Sequence, residues 1–169
     1  MPTVGFQGLF VRIVRVPERR RVVHCSGTAP PTAQWTGQQL VEAFPWETAP
    51  KYLLRDRDAV YGERFRRRGR SLGVEQVLTA SRSPWQNPYA ERLIRSIRRE
   101  SLDHVIVLSE GHLWRLLTRY LLSYHRWRTH LALAMDCPDA RLVQPPARST
   151  VVAFPEVGRL HHHHERVAA

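Results

Sequence analysis

Apolar and polar positions repeat with two different periods along this chain, and the changes of period divide it into elements. Residues 8–16, GLFVRIVRV, interpose Arg12 and Arg15 in an apolar run, PERR supplies a turn, and RVVHCS resumes at 21–26. This is the pattern of a β-hairpin. After the breaker GTAPPT, Thr32 can cap a helix that keeps Trp35, Leu40, Val41 and Phe44 roughly to one side, until FPWETAP ends it. KYLLRD, set between breakers, reads as a buried strand ending at Asp56, and a basic segment, GERFRRRGRSLG, leads from it to a further strand, EQVLT. In SPWQNPYAERLIRSIRRESLDH, Asn87 is a good N-cap and Pro88 a good first helical residue, which puts Glu91 in the first turn. The last helix, EGHLWRLLTRYLLSYHRW, repeats Leu113, Leu116, Leu117, Tyr120, Leu121 and Tyr124 at three- and four-residue steps, so that face is core. Beyond Leu133 periodicity fades and prolines accumulate, the composition of an extended tail.

The order strand, strand, helix, strand, helix or turn, strand, helix, helix implies an α/β domain with a mixed sheet. Its consequence is positional. Asp56 falls at the carboxyl end of a strand, the edge where open α/β sheets gather ligands, and Glu91 falls at a helix start. If strand geometry continues one step, Asp56 and Asp58 point to one face and Glu91 can approach them. Carboxylates gathered in this way repel unless a hard cation joins them, which is the chemistry of magnesium-dependent phosphoryl transfer. Asp58 reads more readily as a turn residue.

Composition narrows the class. A length of 169 residues with 43% apolar content supports one folded domain with a core. Cys25 and Cys137 stand alone, without zinc or disulfide spacing, which suits a reducing cytoplasm. No apolar run is long enough to span a membrane, and the start of the chain lacks the pattern of a signal peptide. The net charge of +11 rests almost entirely on arginine, since Lys51 is the one lysine. Residues 51–128 hold 17 Lys+Arg against 8 acids, whereas the flanks are nearly balanced. A cluster of guanidiniums of this kind suits phosphate oxygens, and a solvated basic helix face is the plainer reading.

Spacing and local sequence then carry a resemblance. Asp56 and Glu91 have 34 residues between them, and the Glu91 segment is followed by YHRWRTHLAL at 124–133. Over residues 2–134 this resembles the catalytic core of DDE insertion-sequence transposases, relatives of the retroviral integrases. The resemblance implies an RNase H-like mixed sheet flanked by helices, with residues 1–134 as the core and 135–169 as an extended tail. It implies DNA integration by strand cleavage and joining with two Mg2+ or Mn2+ ions, acting on transposon ends and target DNA, often as a homo-oligomer in the nucleoid. On that basis Asp56 and Glu91 are the catalytic metal ligands, with Asp58 an additional candidate. Asn87, Arg92, Arg95, Arg98 and Arg128 are the expected DNA contacts, Arg95 and Arg98 sharing the Glu91 face.

The departures define the expected defect. Arg57 and Asp58 stand where many relatives have Asn-Gly, His125 replaces an asparagine and Thr129 a proline. The family also requires an aspartate on its first strand, and residues 1–55 contain none. Glu18 falls in a hairpin turn, and Glu42 and Glu47 in or just after a helix, so none replaces it. The expectation is therefore a core lacking its first strand, with weak metal binding and impaired catalysis. The alternative is a non-catalytic DNA- or partner-binding remnant. The tract His161–His164 reads as native tail, His24 and His104 as structural or exposed, and Trp85 and Arg66–Arg68 as either packing and solvated residues or DNA contacts.

Overall fold

The computed structural model describes residues 8–45, 48–145 and 150–167. Glu47, weighed above as a substitute ligand, lies outside them. Strands β1 (Phe10–Arg15) and β2 (Val22–Thr28) are followed by helix α1 (Ala33–Ala43), strand β3 (Tyr52–Arg55), helix α2 (Glu63–Ser71) and strand β4 (Glu75–Leu78). Helices α3 (Pro88–Glu100) and α4 (Glu110–Arg126) come next, and β5 (Thr150–Glu156) and β6 (His161–Val167) close the order.

The caps explain the helix starts. Thr32 accepts the amide of Trp35, Asn87 that of Ala90 and Ser109 that of His112, each satisfying a donor that the first turn leaves free. Pro88 opens α3, where its missing N–H costs nothing.

The strands form three two-stranded sheets in place of the single mixed sheet expected. β1 pairs antiparallel with β2, β3 parallel with β4, and β5 antiparallel with β6. Alternation along β1 sends Val11 and Ile13 into one core and Val14 into the other. The larger core joins Leu9, Val22 and Cys25 to Leu93 and Ile97 of α3 and to Leu113, Leu117, Tyr120 and Tyr124 of α4. The smaller one joins Val14 to Leu40, Ala43 and Phe44 of the α1 side and Phe65 of α2, with Leu53 of β3 packed against it. The β1–β2 hairpin therefore has helices on both faces. β1 and β3 share the smaller core, yet no ladder joins them among the described residues.

Residues 150–167, expected as extended tail, fold back as the β5–β6 hairpin. Val157 at its turn is buried in the larger core, and the imidazole of His163 stacks on Trp127 at 3.8 Å. His161 reaches the carbonyl of Glu100 at 2.8 Å. The histidine tract alternates between half-buried and exposed positions because it is a strand.

The hairpin turn between β1 and β2 is held from a distance. Arg19 and Arg20 adopt φ of 43° and 60°, a region that disfavours side chains with a Cβ. Arg19 offsets the strain by donating to Asp136 at 2.6 Å and to the carbonyls of Cys137 and Pro138 at 2.7 and 2.8 Å. His125 Nε2 accepts the amide of Val22 at 3.0 Å. That is the acceptor role an asparagine could fill at this position.

Candidate functional site

Asp56 follows the last residue of β3, and its Oδ1 accepts the amide of Asp58 at 3.2 Å. Asp58 caps the next short turn through Val60 N at 3.0 Å. Both are exposed, and both act as local turn acceptors. Glu91 sits in the first turn of α3, exposed, where a carboxylate also complements the helix dipole. Among the described residues no three His, Cys, Asp or Glu side chains gather closely enough to hold a metal ion. Donors for a two-ion carboxylate site are therefore not assembled by these residues, and no catalytic step follows from them here.

Beside β3 two guanidiniums meet on one aromatic pair. Arg12 of β1 lies 5.3 and 4.9 Å from the rings of Tyr61 and Phe65, and Arg55 of β3 lies 5.0 and 5.7 Å from the same rings. Arg55 is satisfied by Gln76 and by the carbonyl of Asp56. Arg12 Nε and Nη1 are buried without a hydrogen-bond partner among the described residues, and burial draws its pKa down. Tyr61 is shifted upward, chiefly by burial.

The α3 arginines divide between two flanks. Arg98 lies on the Glu91 side, mostly exposed, 3.8 Å from Asp103. Arg92 and Arg95 turn instead toward a cleft of about 250 Å³, where Arg128 also stands. Arg128 is anchored there by Glu100 Oε2, and its Nη1 lies 3.1 Å from the hydroxyl of Tyr120, which donates to the same Glu100 oxygen at 2.8 Å. Burial and that carboxylate together push the Tyr120 phenol well above its usual range. Asn87 is occupied as the cap of α3. Trp85, next to that cap, is 71% exposed.

Sequence reading did not single out Glu100, Tyr120, Arg15, Arg20 or Arg99 as site residues. Glu100 stands at the end of a basic helix with no motif to mark it, and its role appears only when α4 brings Tyr120 and Arg128 across to it. His24, in hydrogen bond with Gln39 at 2.8 Å, and His104, in hydrogen bond with the carbonyl of Arg99 at 2.8 Å, have structural partners. No described helix is long and apolar enough to cross a membrane.

Comparison with known proteins adds a match over part of the chain. Residues 72–138 match the family described as Integrase core domain. Among solved structures, a chain of the simian T-cell lymphotropic virus intasome in complex with PP2A regulatory subunit B56 gamma superimposes with a TM-score of 0.60. Its sequence identity is 12%, and the match covers 91% of this chain and 59% of that one. This chain thus spans about three-fifths of the length of that chain. No curated protein sequence matches it. The stretch from β4 through α3 and α4 to the following loop, residues 72–138, thus resembles the integrase core domain family, within a chain whose α/β fold is shared with a chain of the intasome complex.

Proposed function

We propose that the chain is a DNA-binding integrase or transposase core that holds duplex DNA along α3 and does not transfer strands by itself. The observation that carries this reading is the placement of Glu91, Arg92, Arg95, Arg98 and Arg99 along one exposed helix, inside the segment that matches the integrase core family. Guanidiniums spaced along a helix can follow a phosphate backbone, and the excess of 17 basic over 8 acidic residues in 51–128 supplies the attraction. Asp56 and Glu91 are two of the carboxylates that a divalent-ion site would use. A third on a strand beside them completes such a set, and residues 1–55 have no aspartate to offer. The absence of a ladder between β1 and β3 among the described residues, together with the unpartnered Nε and Nη1 of Arg12, supports a core that lacks a strand at that place.

The non-catalytic remnant differs only in its history and would behave identically as a DNA binder. The test uses the chain on end-labelled duplex DNA with Mg2+ or Mn2+. Retarded complexes without cleaved or joined product are expected. Product that disappears in both Asp56→Asn and Glu91→Gln would show a complete catalytic set and overturn the reading, and absence of any complex would overturn DNA binding.

A further inference from the structure

The cleft flanking α3 is walled from two directions. Arg92, Arg95 and Arg99 enter from the helix, Arg15 and Arg20 from the β1–β2 hairpin opposite, and Arg128 from the loop after α4. Two of these guanidiniums meet a carboxylate, Glu100, which lies against Arg128 and 3.7 Å from Arg99. Arg20, Arg92 and Arg95 form no ion pair among the described residues. Like charges gathered this closely destabilise one another unless an anion joins them.

A second observation points to the same ligand. His130 is 9% exposed, lines the cleft, and its Nε2 is buried without a hydrogen-bond partner among the described residues. Its ring is fixed by an edge contact with Tyr124 at 5.1 Å. Burial, then Arg128, Arg20 and Arg15, pull its pKa to about 4, so the surrounding field disfavours a proton on this ring. A bound anion would counter that field and give Nε2 an acceptor.

From this geometry we infer that the cleft is a phosphate subsite in which the hairpin arginines Arg15 and Arg20 close on one phosphate group against Arg92, Arg95 and Arg99, with His130 Nε2 as an inner donor. The inference rests on the DNA-binding reading for its ligand, a backbone phosphodiester, and free phosphate is the other source of the same chemistry. The hairpin matters because it converts an open helix face into a two-sided grip. The clasp of Arg19 on the loop at 136–138 and the Tyr124 hydroxyl, 3.4 Å from the Arg20 carbonyl, hold the hairpin at that distance.

The experiment titrates the full chain with inorganic phosphate while following the His130 ring by 15N NMR, and separately measures duplex DNA affinity against salt. Phosphate should move the His130 resonances saturably. Arg99→Gln should weaken that binding about tenfold, the scale of one lost charge-assisted hydrogen bond. The double variant Arg20→Gln/Arg99→Gln should lower the slope of log affinity against log salt by about 0.9, one phosphate on duplex DNA. Arg115→Gln, on the exposed side of α4, should leave both readouts unchanged. Arg99→Gln alone, which does not touch the hairpin turn, separates a lost contact from a disturbed fold. If duplex binds but phosphate leaves His130 unmoved and the double variant keeps the wild-type slope, the subsite is overturned and the DNA-binding reading survives. If phosphate binds in the cleft while duplex does not bind at all, the subsite stands as a site for free phosphate and the DNA-binding reading falls.

Discussion

At the scale of single residues, the side chain that joins the most partners near the cleft is Glu100, which holds both Tyr120 and Arg128 while only 17% exposed. Glu100→Leu leaves the Tyr120 hydroxyl and Arg128 guanidinium without this acceptor and should cost about 1–3 kcal/mol, read from urea unfolding. An unchanged midpoint would show that water replaces the carboxylate. His125 and His130 set the pH response. Both have pKa values drawn below the ordinary 6.5, chiefly by burial, His130 to about 4. The unfolded chain therefore binds more protons below about 6.5. The stabilisation is fully present above that pH and is lost as pH falls toward about 4. Denaturation at pH 7 and pH 5 should show lower stability at pH 5. Because an asparagine oxygen can accept the Val22 amide as His125 Nε2 does, His125→Asn should flatten part of that dependence.

At the scale of elements, α3 depends on its first turn. Asn87→Ala removes the acceptor for Ala90 N and should lower stability by about 1 kcal/mol. If Asn87 also contacts DNA, the same variant weakens DNA affinity beyond what the stability loss explains, which salt-dependent binding separates. The β5–β6 hairpin is tied to the end of α4 by the stack of His163 on Trp127, and His163 also pairs within the hairpin with Glu156 of β5 at 2.9 Å. His163→Ala should cost about 1–2 kcal/mol and shift Trp127 fluorescence to the red as the ring gains water. Unchanged emission would mean that the hairpin does not cover Trp127 in solution.

At the scale of the whole molecule, a net charge of +11 and two small cores act together. β1 and β3 each pair on one edge, and the sheet of β3 and β4 leaves Leu54, Val77 and Leu78 more than 40% exposed. Unpaired edges and apolar sheet faces lower cooperativity and invite association. The thermal midpoint is therefore expected below about 65 °C, the upper end for mesophilic domains. A cooperative transition above that temperature would show that the two sheets are better supported than their pairing suggests.

Each element that the local pattern marks is present in the fold, from the hairpin of residues 8–26 to the caps at Thr32 and Asn87 and the leucine face of α4. Period and cap chemistry are properties of neighbouring residues, and the chain carries them wherever it goes. The YHRWRTHLAL segment, which resembles the integrase cores by its sequence, lies within residues 72–138, the stretch that matches that family. Tertiary structure alone decided which arginines act together. Arg98 and Arg99 are adjacent in sequence, yet α3 sends one toward Asp103 and the other into the cleft, where Arg15 and Arg20 arrive from a hairpin more than seventy positions earlier. It also turned the tail into a strand pair, because His161 and His163 find their partners on α3 and just past α4. Such contacts join segments that no periodicity links. They exist only when packing brings the segments together, so a sequence read locally carries no mark of them.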